Sequence, residues 1–158
     1  MIAFSFLMEA AKDSIMVYNP KHPFLYYGTI LGTGLAGGLA GYNIAHDAEI
    51  RHPAIGTAIG AVNGLNLGTF GAEYLDRKLR ESKGRPYDGP RTMADAGNEL
   101  LIKTALGNIP GVVSGVTTGG SNPGLTFVAG RLMSKFAPFF NAAARGRQDE
   151  NLGKKAKA

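Results

Sequence analysis

"ILGTGLAGGLAGYNIAHDAE", residues 30–49, fits two incompatible folds. Gly32, Gly34 and Gly37 match the Gly-x-Gly-x-x-Gly pattern that lets a backbone approach a dinucleotide pyrophosphate at a helix N-terminus. The same residues also fit a long helix edged with small side chains. The nucleotide reading needs a buried strand before the glycines and a second strand ending in Asp or Glu about 20 residues on. "FLYYGTI" (24–30) passes as the first strand, but "GYNIAHDAEIRHPAIG" (41–56) holds no second apolar strand, and Glu49 lies in a polar turn before Pro53. The helix reading is the one the flanking sequence supports.

Spacing strengthens it. Gly56, Gly60, Gly64 and Gly68 recur at intervals of four, and so do Gly107, Gly111, Gly115 and Gly119. In the first stretch the matching row is Gly28, Gly32, Ala36 and Ala40, with Gly34/Gly38 and Gly37/Gly41 as neighbouring pairs. Residues four apart stack on one helix face, so each row makes a shallow groove into which another helix can settle. Each interior glycine costs about 0.8–1 kcal/mol of helix propensity relative to alanine. Four in one helix therefore need close packing to offset them, as helix association in lipid provides.

The rows fall in stretches that lack formal charge. Pro23–His46, His52–Ala72 and Thr104–Gly130 contain no Asp, Glu, Lys or Arg. Each is long enough, as a helix, to cross about 30 Å of hydrocarbon. With no period-two alternation of useful length, the chain is expected to be all-α: glycine-zipper helical hairpins, about four helices in all, embedded in a membrane or assembled in an oligomer. Residues 1–22 read as an amphipathic N-terminal helix and 23–75 as the first hairpin. Residues 76–91 read as a basic charged loop, 92–144 as a second helical pair carrying the third glycine row, and 145–158 as a basic flexible tail. Thr92 and Asp95 form a capping-box pattern, and Asn122-Pro123 is a helix start. Pro110 and Pro138 are expected to kink or break the later helices.

Chemistry is sparse. The 158 residues include no cysteine, so no disulfide or thiolate metal site is available. His46, Asp47, Glu49 and His52 match no metal-ligand spacing, and Ser114 and Ser121 have no base nearby in sequence. No phosphate-loop, zinc-protease or nucleophile-elbow motif is present. The chain is accordingly expected to be non-enzymatic, with no catalytic residue, metal or cofactor. Asn63, Asn66, Thr117 and Thr118 are the polar side chains expected either to bond between helices or to line a wet lumen. Tyr26, Tyr27, Tyr42 and Tyr74 stand near the ends of the first two charge-free stretches, where membrane-interface aromatics collect. Basic residues flank that pair on its outer sides (Lys12 and Lys21, then Arg77 to Arg91). Both outer ends are therefore expected on one, cytoplasm-like side, and the basic loop and tail are candidates for lipid or non-specific DNA contact.

Mean hydropathy is only −0.04, low for a multi-pass membrane protein, which suits helices that insert conditionally or bury against other copies. The three small-residue rows, marginal hydrophobicity, basic tail and lack of cysteine together resemble glycine-zipper helical membrane proteins. These include the internal or ejection proteins of tailed phages. That resemblance implies a homo-oligomer forming a pore or conduit, for DNA passage across a host envelope, located in a membrane or first in the virion interior. The other function it implies is a structural accessory subunit of a large membrane or virion complex, with no pore of its own.

Overall fold

A computed structural model describes residues 18–145. The expected helix in 1–22 and tail in 145–158 therefore lie almost wholly outside the described residues. Four helices follow in order: α1 Pro23–Asp47, α2 Ala54–Ser82, α3 Met93–Thr118 and α4 Pro123–Ser134. A further helical stretch covers 137–145, and the described residues contain no strand. The described residues fold as helices joined by turns.

Local sequence explains most of the boundaries. Pro23 opens α1 at a position whose N–H would have no intrahelical partner, and Pro53 stands at the N-cap of α2. At α3 the Thr92 hydroxyl accepts from the Asp95 N–H at 3.1 Å, while the Thr92 N–H donates to the Asp95 carboxylate at 2.9 Å. This reciprocal pair is the capping box read from the sequence. Asn122 caps α4 by accepting from the Leu125 N–H at 3.2 Å. Gly119 ends α3 with φ 63°, a left-handed conformation that glycine adopts without Cβ strain.

Two boundaries depart from expectation. Residues 76–82, read as the start of a loop, continue α2 as helix to Ser82. Their charges are paired along the helix or against neighbours, so they need no solvated loop. Pro110 lies inside α3 without ending it; the helix runs on for two further turns.

α2 is the central element and packs against α1, α3 and α4. α1 and α2 form an antiparallel hairpin whose two backbones nearly touch. A Cβ on Gly37 would overlap the carbonyl oxygen of Gly60, and one on Gly60 would overlap that of Gly37. Gly41 and Gly56 stand in the same reciprocal relation, and a Cβ on Gly64 would overlap the Thr33 carbonyl. The approach is possible because neither helix carries a side chain at the seam. It gains dispersion contacts and leaves room for weak Cα–H···O bonds. Gly68 would meet the Thr33 hydroxyl and Ile30, so all four members of the second row lie on this seam.

The register brings like ends together. Ile55 at the start of α2 sits beside Gly120 after α3, so the α1–α2 turn and the α3–α4 turn share one end. At the other end lie the start of α1, the end of α2 and the start of α3, while the end of α4 stops level with Asn66 and the stretch after it reaches Asp95. His22 bonds to Asp76, Arg91 to Glu73 and Glu99, and Arg131 to Asn66.

The seam predicts opposite effects of one substitution at two positions. Gly60→Ala should lower stability by about 1–3 kcal/mol, because overpacking against backbone outweighs the propensity gain of about 1 kcal/mol. Gly28, which meets nothing within 4 Å, should instead gain stability as Gly28→Ala. Thermal unfolding followed by circular dichroism checks both, and equal shifts would contradict the seam.

Candidate functional site

Taken residue by residue, the three small-residue rows do different things. The α2 row is the packing seam described above. The α1 row drawn as Gly28, Gly32, Ala36 and Ala40 is not the one that meets α2. Gly28 and Gly32 approach nothing within 4 Å, and the close contacts come from Gly34, Gly37 and Gly41 one step around the helix. The offset follows from 3.6 residues per turn, which rotates a strict four-residue row around the helix. In α3 only half the row packs. A Cβ on Gly107 would lie 2.8 Å from Val62, and one on Gly111 2.6 Å from Ile59. Gly115 meets nothing, and Gly119 is the helix terminator.

The amides are interhelical. Asn66 is 1% exposed; its amide donates to the Lys103 carbonyl at 3.1 Å and to Ser134 Oγ at 3.2 Å, and its oxygen accepts from Arg131 at 2.9 Å. One side chain thereby ties α2 to α3 and α4. Asn63 donates to Asn108 Oδ1 at 3.0 Å. Thr117 and Thr118 are exposed near the end of α3, where their hydroxyls donate to the carbonyls of Val113 and Ser114 at 2.8 Å. The structure does not bring the asparagines and these threonines into one lumen.

The most elaborate polar assembly lies where a solvated basic loop was expected. Glu73 and Asp76 have no exposed surface, and Arg80, Arg91, Asp95 and Glu99 are all buried. Arg91 bonds to Glu73 at 2.9 Å and to Glu99 at 2.6 Å. Arg77 reaches Glu73 at 2.5 Å and the Arg91 carbonyl at 2.7 Å, and Lys103 pairs with Glu99. The 83–92 connection is thereby strapped to α2 and α3 by ions. Such a network adds little net stability over apolar packing, but removing one member strands a buried charge at a cost of about 3–5 kcal/mol. Its sequence signal was available: Glu73/Arg77, Asp76/Arg80 and Glu99/Lys103 are all opposite charges four apart.

A second lock holds the chain before α1. The Tyr18 hydroxyl donates to Asp76 Oδ2 at 2.5 Å, the His22 backbone N–H to Oδ1 at 2.9 Å, and Arg80 to Oδ2 at 3.0 Å. The Tyr18 ring stacks on Tyr26 at 5.8 Å and meets the Tyr87 ring at a tilt with centroids 5.1 Å apart, and Arg77 lies 4.1 Å over Tyr87. Burial would raise the Asp76 pKa, but the bonds from Tyr18, His22 and the Lys21 and His22 backbone outweigh it and hold the carboxyl well below the usual range. The same burial and the Asp76 charge push the Tyr18 hydroxyl up.

Outside these locks the surface is strongly apolar. On α1, Phe24 is 94% exposed and Leu35 72%, with Leu31, Leu39 and Ile44 similar; on α3, Val116 is 82% exposed. Between α1, α2 and the first half of α3 runs an apolar groove of about 1080 Å³, lined by Ala36, Ala40, Ile44, Ile59, Asn63 and Leu101 among others. No charged residue lines it. Among the described residues no group of His, Asp or Glu could hold a metal.

No protein-family model, curated protein or solved structure matches the chain.

Two measurements follow from the ion networks. Glu73→Gln should destabilise by about 3–5 kcal/mol, more than Glu81→Gln at the exposed pair with Lys78, as read by chemical denaturation. For Asp76 the folded pKa is depressed, so its stabilisation is complete above the unfolded value near 3.9. It is lost as pH falls through that value towards the lower folded one. Asp76→Asn should therefore flatten the acid limb of a stability–pH profile below about pH 5, and an unchanged limb would contradict the lock.

Proposed function

We propose that the chain is a non-enzymatic, membrane-embedded helical subunit that assembles with copies of itself or within a larger membrane or virion complex. The observation that carries this reading is the run of large apolar side chains on the outer faces of α1 and α3. They lie beside stretches of α1 and α2 that carry no charge of their own, into which Arg131 of α4 reaches at Asn66. On α2 that stretch runs from Ala54 to Ala72, about 28 Å of helix. α3, Met93–Thr118, is long and apolar enough to cross a membrane and is mostly unburied by the rest of the protein. An exposed apolar surface of this extent fits lipid or a partner better than water.

The packing geometry also bears on how copies would meet. The glycines of α2 are occupied inside the hairpin, so a glycine zipper between copies would use the outer row of α1. There Gly28 and Gly32 lie open among Phe24, Leu31 and Leu35. Asn66 is consumed within the bundle, which favours an accessory or scaffolding subunit over one with a lumen through each copy.

A conduit remains the second reading, and one observation favours it: Ser114, Thr117 and Thr118 expose hydroxyls along the end of α3. A passage would then run between copies, lined in part by that row, as a phage ejection conduit for DNA would require.

Detergent-extracted protein should run as a defined oligomer. Gly28→Leu with Gly32→Leu should break it while leaving helix content intact, whereas Gly60→Leu with Gly64→Leu should unfold the hairpin itself. Dye release from liposomes separates the two readings: release that depends on the oligomer favours a conduit, and oligomers that never release dye favour the accessory role. Protein that stays monomeric and is stripped from membranes by carbonate would overturn both.

A further inference from the structure

The antiparallel course of the helices sorts charge by end. Among the described residues, eight of the twelve Lys and Arg lie towards the end that holds the start of α1 and the finish of α2, together with six of the eight Asp and Glu, while Lys103, Arg131 and Lys135 stand level with Asn66 in the middle of α2. The opposite end, at the α1–α2 turn, carries Arg51 against Asp47 and Glu49. One end is therefore net basic and the other net acidic. Most carboxylates at the basic end are turned inward: Glu73, Asp76, Asp95 and Glu99 are buried. Lys21, Lys78, Lys83 and Arg85 are exposed there, with Lys135 exposed nearer the middle of the bundle, against exposed Glu81 and Asp88.

Exposed aromatic side chains sit among those cations. Phe24 and Tyr27 follow Lys21 at the start of α1, and Tyr74 lies 6.0 Å from the Lys78 ammonium on α2. Phe136 and Phe140 follow Lys135. Basic and aromatic groups thus mix from the level of Asn66 to the end of α2. Cations alone would suit any polyanion, but a cation ring interleaved with aromatics and continuous with apolar helix faces matches a membrane–water interface.

We infer that this end is a binding surface for anionic lipid headgroups, which fixes the protein's orientation with its basic end at the anionic leaflet. The inference rests on the membrane reading above and adds to it a lipid class and a direction. The buried carboxylates are part of the device, because pairing them inside leaves the outward-facing charge mostly positive. Attraction of this kind is worth about a fivefold gain in binding per cation near the surface and weakens as salt shortens the Debye length.

The test uses the full chain in flotation with vesicles of phosphatidylcholine alone and of phosphatidylcholine mixed with phosphatidylglycerol. The protein should favour the anionic vesicles by about tenfold or more at low salt. Replacing Lys21, Lys83, Arg85 and Lys135 by Gln, all exposed positions, should remove most of that preference. Flotation with neutral vesicles and helix content should not change. Equal partition into both vesicle types, or a preference that survives the four substitutions, overturns the proposal while leaving the membrane reading standing. Failure to float with any vesicle overturns both. Binding of a short DNA duplex through the same four cations, with no vesicle preference, also overturns it and reassigns the surface to nucleic acid. Labels at cysteines placed at Lys83 and at Ala48 in reconstituted vesicles report the direction, which should be biased with anionic lipid and random without it.

Discussion

The contact between the α1 and α2 backbones at Gly37, Gly41, Gly56 and Gly60 sets the geometry on which the rest of the molecule is hung. Each glycine there lies against a carbonyl of the facing helix, where any side chain would overlap it. Such an approach fixes the register of the two helices more tightly than interdigitated leucines would, because neither surface can slide without meeting a Cβ or losing contact. The helix propensity given up by so many glycines is offset only while the seam stays closed. It also leaves the large side chains of α1 with no place in the hairpin, and they are displayed outward.

That arrangement inverts the pattern of a water-soluble bundle. The buried positions are mostly small residues with Tyr18, Tyr26, Ile55 and Val62, the amide of Asn66 and a set of paired ions, while Phe24, Leu31, Leu35, Leu39 and Val116 face out. Buried charge is tolerated because each group is bonded. Glu73 receives Arg77 and Arg91, and Asp76 receives Tyr18, His22 and Arg80. Paired ions that contribute little net stability still dictate which ends meet, since a mismatch would strand a charge at low dielectric. The polar end thus works as a clasp, and the apolar end is left as a surface.

How much was legible beforehand differs between elements. The capping box at Thr92 and Asp95 and the Asn122-Pro123 start are local, within one turn, and their partners are fixed by chain distance. The α2 row was legible too, because four glycines at one spacing have few other uses. In α1 the hairpin seam uses the neighbouring Gly34, Gly37 and Gly41, not the row Gly28, Gly32, Ala36 and Ala40. A helix presents several four-spaced rows, and composition does not say which one turns towards a neighbour. The stretch 76–82 was misread as a loop because charge usually means solvent. Its i,i+4 pairs were visible, but burying them depended on Arg91 and Lys103 arriving from elsewhere in the chain.

By itself, then, the sequence determined an all-helical chain: where its helices start, which segments carry no charge, and that close backbone approach was affordable at the glycines of α2. These are properties of single residues and of neighbours within a turn. Only the tertiary structure decided which face of α1 closes the hairpin, that the asparagines are spent between helices, and that Glu73, Asp76 and Glu99 are buried among cations. The physical reason is that packing and ion pairing join residues distant in the chain, such as Gly41 with Gly56, Arg91 with Glu73 and Arg131 with Asn66. Such pairings depend on which ends and faces meet, and that is a property of the folded arrangement.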